Sequence, residues 1–199
     1  SAGEALNGVD YVTQNIVVDE DYSYDIISAR FDADNEVVRV ANPIIGEDVT
    51  LDKGTIEFMY SPLEAHTADK EMTFFSLYAD ASNSIEFKKL NDVNDSLSLI
   101  YKCAYCGDAE VLISGADYSF ASGDWVNFTV HWNAYAPIDE QLLIYVDEQE
   151  LPMSRNSASI NPASIVDPAF IYIGNSSPTG TNEANGRIVS ERKGYHCEY

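Results

Sequence analysis

Apolar and polar residues alternate along this chain with a period of two, in runs of about five to eight residues. Clusters of Asn, Asp, Gly, Ser and Pro separate the runs, and helical periodicity is nearly absent. In Gly54-Thr55-Ile56-Glu57-Phe58-Met59-Tyr60, the side chains of Ile56, Phe58 and Tyr60 share one face, and Thr55, Glu57 and Met59 share the other. From 125 to 132, Val126, Phe128, Val130 and Trp132 point one way, opposite Trp125, Asn127, Thr129 and His131. The run 142–146 is apolar on both faces, which predicts a central strand or one whose outer face lines a groove. Comparable segments lie at 11–18, 26–31, 37–41, 73–78, 84–89, 96–102, 110–114, 141–147, 170–174 and 187–192. Eleven or twelve short strands joined by polar turns predict an all-β chain folded as an antiparallel two-sheet β-sandwich. No fixed-period repeat supports a solenoid or propeller.

A length of 199 residues with 45% apolar content suits one domain with a sizeable core. Residues 1–25 read as an N-terminal lead or first strand, and 26–199 as the domain. No signal peptide is visible, and Ser1-Ala2-Gly3 reads as a processed start. No apolar run approaches the ~20 residues of a membrane helix, so no membrane insertion of this segment is expected. The net charge of -22 argues against nucleic acid and anionic membranes as partners. It reflects a solvated acidic surface or, in part, carboxylates that hold Ca²⁺. The candidate ligands are Asp32, Asp34 and Glu36 in one acidic stretch and Asp92 and Asp95 in another, although the second also reads as a hairpin turn.

Three cysteines are too few for a four-thiolate zinc site, and Cys103-Ala104-Tyr105-Cys106 sits at an apparent hairpin tip rather than a helix start. One structural disulfide in an oxidising compartment is expected, with one thiol left over. Cys103 and Cys106 are the nearest pair, and Cys197 is able to replace either partner.

The order of several segments resembles the laminin-G-like, concanavalin-A-like jelly-roll domains. The segments are Gly54-Thr55-Ile56-Glu57-Phe58, then Gly123-Asp124-Trp125, then Leu142-Leu143-Ile144-Tyr145-Val146-Asp147, then Ile173-Gly174, and finally Gly186-Arg187-Ile188 with Arg192 and Tyr195. The resemblance implies a jelly-roll β-sandwich over 26–199, working outside the cell or at its surface. Two departures matter. The family's Tyr-Val-Asp strand usually turns at Gly, whereas Glu148-Gln149-Glu150 follows here, which predicts a longer or differently twisted hairpin. The family's last strand often carries an Asp that helps hold calcium, and Val189 and Ser190 stand at that place.

No catalytic pattern is present. The Glu-x-Asp-x-x-Glu strand of glucanase relatives is missing, and Asp147-Glu148-Gln149-Glu150 has the wrong spacing. A sugar ligand needs aromatic faces and orienting polar groups, for which Tyr78, Tyr101, Tyr105, Trp125, His131, Tyr135 and Tyr145 are the candidates. Tyrosine is also favoured in strands for packing alone. The expected function is a non-catalytic extracellular recognition module for a glycan or a protein surface. Its alternatives are a subunit of a surface filament, pilus or adhesin, assembled through the N-terminal segment or the odd cysteine, and a divergent polysaccharide hydrolase or lyase.

Overall fold

The computed structural model describes residues 11–14, 17–21, 26–32, 37–41, 51–104, 107–161, 168, 170–176 and 182–189. The strands are β1 (Tyr11–Gln14), β2 (Val17–Asp21), β3 (Ile26–Phe31), β4 (Val37–Ala41), β5 (Lys53–Pro62), β6 (Met72–Asp80), β7 (Asn83–Lys89), β8 (Leu97–Lys102), β9 (Ala109–Ile113), β10 (Val126–Asn133), β11 (Leu142–Val146), β12 (Gln149–Glu150), β13 (Ser154–Arg155), β14 (Phe170–Ile173) and β15 (Gly186–Val189). One 3-10 turn, Ile138–Glu140, is the helical piece among the described residues.

The strands form two antiparallel sheets. One runs β1-β4-β14-β6-β7-β8-β9-β13 and the other β12-β11-β10-β5-β15-β3-β2. The chain therefore has the predicted all-β, antiparallel two-sheet sandwich fold. The sheets meet over an aromatic core in which the Phe58 ring lies 5.6 Å from Phe128, 6.1 Å from Phe74 and 6.3 Å from Phe87. Along β10 burial alternates as the sequence predicts, with Val126, Phe128, Val130 and Trp132 buried and Asn127, Thr129 and His131 half-buried. Strand β6 breaks its alternation, because a bulge between Thr73 and Phe75 turns both Phe74 and Phe75 into the core.

The glycine that opens β5 has a packing reason. Gly54 pairs with Trp132, and a Cβ there would lie 2.3 Å from the indole Cζ2, so the indole occupies the space a side chain would need. The last residue of the same apolar face, Tyr60, packs its ring against Gly186 and donates its hydroxyl to Ala184 O at 2.5 Å. That bond fixes the entry of β15 beside β5. Burial, then the nearby Glu64 and Glu183, push the Tyr60 hydroxyl well above the usual phenol range.

Three expectations are corrected. The run 11–18 is two strands in different sheets: β1 pairs with β4 at the edge of one, and β2 with β3 at the edge of the other. β11 is the second strand from an edge, and its outer residues Leu143 and Tyr145 are half-buried. The hairpin from β11 to β12 is short, not long. Val146 pairs with Gln149, and the two turn residues Asp147 and Glu148 have φ of 51° and 63°. Positive φ at both central residues matches the strand twist of a tight hairpin, here achieved without glycine.

Candidate functional site

Strand register sorts the connections into two ends of the sandwich. Pro62 of β5 pairs with Gly186, Gly186 with Phe31, Met72 with Lys89, Lys89 with Leu97, and Leu97 with Ile113. Val126 pairs with Tyr60, and Phe128 with Val146. One end therefore carries the connections β5–β6, β7–β8, β9–β10, β11–β12 and the approach to β15. The other end carries the β8–β9 tip with Cys103 and the β10–β11 loop with Tyr135.

The first end contains a groove of about 420 Å³, lined by His66, residues 115–119, Val146, Asp147, Gln149 and Leu151. Its walls are tied together by hydrogen bonds between connections. Gly115 N donates to Asn94 O (2.8 Å), Tyr118 Oη to Asp95 O (2.5 Å), Gly123 N to Pro62 O (2.8 Å) and Ser122 Oγ to Leu63 O (2.7 Å). His66 N donates to Phe120 O (3.1 Å), and Phe120 N donates to His66 Nδ1 (3.3 Å). The His66 ring lies 5.2 Å from the Tyr118 ring and 5.5 Å from that of Phe120. On the far wall, Asp147 N donates to Asn127 O (2.8 Å), and Asp147 Oδ1 accepts from Asn127 N (2.9 Å). The start of β10 thus holds the β11–β12 turn in place. Burial, followed by the charges of Asp95 and Asp92, drives the Tyr118 hydroxyl far above the usual phenol range. The groove carries two exposed carboxylates, Asp117 and Asp147, and among the described residues no lysine or arginine lines it.

The residues proposed from sequence for ligand contact do not form one site. His131 and Tyr145 share the outer face of the seven-stranded sheet, where Thr55 Oγ1 and His131 Nδ1 are hydrogen-bonded at 2.9 Å, and Trp125 is exposed just before β10 begins. Tyr78 lies on the outer face of the other sheet, 6.0 Å from the Tyr172 ring. Tyr135 is exposed at the opposite end from the groove. Tyr101 is only 2% exposed and belongs to the core, so it is corrected from ligand contact to packing. Tyr105 lies outside the described residues.

Of the proposed metal ligands, Asp92 Oδ1 accepts from the amides of Ser96 (2.8 Å) and Asn94 (3.2 Å), and Asp95 Oδ1 lies 3.0 Å from Lys89 Nζ. Both carboxylates serve the chain's own donors. Asp32 pairs with Arg30 Nε at 2.9 Å, while Asp34 and Glu36 lie outside the described residues. Among the described residues, no three His, Cys, Asp or Glu side chains gather as a metal site. Cys103 is disulfide-bonded, and its candidate partners Cys106 and Cys197 both lie outside the described residues.

The groove itself escaped sequence reasoning. Its residues carry no motif and come from the β5–β6, β9–β10 and β11–β12 connections and the segment after β12, which only strand register brings together. The nearest signal was the Asp147-Glu148 departure at the end of β11.

No protein-family model matches the chain, and no curated protein matches it. Solved structures do. The receptor-binding domain of botulinum neurotoxin D aligns with 92% of this chain at 13% identity and a TM-score of 0.58. Domains LG4-5 of the mouse laminin alpha1 chain align with 83% of it at 12% identity and a TM-score of 0.49. The CBM40 domain of the Ruminococcus gnavus IT-sialidase, bound to alpha2,3 sialyllactose, aligns with 70% at 10% identity and a TM-score of 0.48. The chain spans 45% of the toxin domain, 41% of the laminin domain pair and 75% of the CBM40 domain. At these identities the likeness is one of fold alone, and the chain has a jelly-roll β-sandwich fold.

Proposed function

We propose that this chain is a non-catalytic recognition module working outside the cell, and that it holds a glycan or a protein surface in the groove between residues 115–119 and the β11–β12 turn. The observation that carries this reading is the groove itself. Cross-connection hydrogen bonds preform it at one end of a rigid sandwich, and its volume of about 420 Å³ falls in the range of ligand sites. The disulfide at Cys103 supports an oxidising compartment. Strands β1 and β2 pair within their own chain, so assembly by lending the N-terminal segment to a neighbour would first have to displace them. A glycosidase mechanism requires a general acid sheltered from water, and Asp117 and Asp147 are both exposed.

The test is a screen of immobilised glycans and extracellular proteins against the native chain and Ser119→Trp, which fills the groove from an exposed position. The expected result is a ligand that the native chain retains and Ser119→Trp loses at unchanged thermal stability. Ligands that bind both proteins equally would move the site elsewhere.

A further inference from the structure

The groove's charge is one-sided, and it narrows the ligand. We propose that the groove docks the cationic side chains of a basic protein segment and turns away acidic ligands; this rests on the groove being the ligand site and names the chemistry it selects. Asp117 is exposed, and its carboxylate has no partner among the described residues. Asp147 commits Oδ1 to the Asn127 amide, and its charge still faces the groove. Among the described residues, the lysines of this end are engaged elsewhere. Lys89 is buried against Asp95 and three carbonyls, and Lys70 is paired with Glu183. His66 is held by the backbone of Phe120.

Further exposed acids, Glu64, Asp69, Asp124 and Glu148, stand on the connections at the same end. A chain of net charge -22 adds a long-range field of the same sign, which draws cations toward the groove and repels carboxylates. Aromatic geometry favours a side chain over a sugar. A sugar ring needs an open aromatic face, but Tyr118 is 6% exposed, with its ring packed against His66 and Phe120. An extended basic segment needs no such platform. It needs a preformed acidic slot that a guanidinium or ammonium can enter, and carboxylates bind the guanidinium fork well.

The experiment is fluorescence anisotropy with a labelled Arg-Gly-Ser repeat peptide at about 0.15 M ionic strength, where distant surface charges are screened. Its competitors are the Glu-Gly-Ser counterpart, glucosamine oligomers and sialyllactose. The expected result is saturable binding of the basic peptide alone, weakened about fivefold by Asp117→Asn and unchanged by Glu140→Gln, which removes an exposed acid from the opposite end. Asp147→Asn should also weaken it, but Asp117→Asn is decisive because Asp147 also supports the turn. Equal weakening by Glu140→Gln would overturn the proposal, since attraction would then be diffuse. So would binding of the glucosamine oligomer in place of the peptide. A neutral or acidic glycan that binds the native chain and not Ser119→Trp would sink the cationic preference while leaving the groove as the ligand site. Absence of any ligand sensitive to Ser119→Trp would remove both.

Discussion

Lys89 is 0% exposed, a costly place for an ammonium group unless every proton finds an acceptor. Here Nζ donates to Ala68 O (2.8 Å), Lys70 O (3.1 Å) and Leu90 O (3.1 Å), and lies 3.0 Å from Asp95 Oδ1. One side chain thus ties the end of β7 to the β5–β6 and β7–β8 connections, the same connections whose backbone supports the groove wall through Asn94, Asp95 and His66. Lys89→Met keeps the length of the side chain but strands the Asp95 charge and removes the donor for three carbonyls. It should destabilise the fold by about 3 kcal/mol, measured by denaturant unfolding. Its neighbour Lys88 is partly exposed and pairs with Glu71 at 3.4 Å across solvent, so Lys88→Met should cost under about 1 kcal/mol. Equal effects at the two positions would show that Lys89 does not hold the connections together. Strand period places Lys89 on the same face as Ile85 and Phe87 in the sequence, but its acceptors are backbone groups from distant loops and leave no trace there.

The element with a local conflict is the β11–β12 hairpin. Its turn residues Asp147 and Glu148 both take positive φ, and Glu148 has no short side chain to stabilise that conformation locally. Glu148→Gly supplies the Asp-Gly turn that this geometry favours. Relief of strain exceeds the added chain entropy, so a gain of about 0.5 kcal/mol and a Tm rise of about 1–2 °C are expected. A lower Tm would mean that the turn is not strained at that residue. Other elements were easier to read from the chain. β5 and β10 were legible because each buries one face and leaves the other wet, which writes period two into the sequence. The bulge at Phe74 was not, because a single inserted residue shifts the period without a marker residue. The division of 11–18 into β1 and β2 was not either, because partner choice between two sheets is a long-range decision. The site fared worst. Tyr101 and Tyr145 look alike in alternating runs, yet one is in the core and the other half-exposed, and the groove joins residues from 66 to 151 that share no pattern.

At the scale of the whole molecule, like-charge repulsion sets the response to salt. The chain has 33 acidic and 11 basic residues, and the described pairs already commit Arg30, Lys70, Lys88, Lys89 and Lys102 to carboxylates. With a net charge of -22, repulsion outweighs attraction over the molecule as a whole, and folding concentrates that repulsion into a smaller volume. Salt screens it. The Debye length falls from about 30 Å at 0.01 M to about 3 Å at 1 M, shorter than typical gaps between surface charges. Exposed ion pairs weaken under the same screening, but each contributes little, and the Lys89 pair is sheltered from solvent. Net repulsion therefore prevails, and Tm should rise by several degrees between about 0.01 and 1 M NaCl at pH 7. The pH must stay well above the acid range. Asp80, through the Asn83 side chain and the Ser82 amide, is held below the usual aspartate pKa. Asp92 is held there too, because the Ser96 and Asn94 hydrogen bonds outweigh its desolvation. A depressed folded-state pKa means that their stabilisation is complete above about pH 4 and is lost as pH falls through the lowered values, so a melt at pH 7 keeps that contribution constant. Choline chloride should act as NaCl does, because screening depends on ionic strength and not on the cation. A Tm that stays flat or falls with either salt would mean that attractive pairs, not repulsion, set the electrostatic balance of this fold.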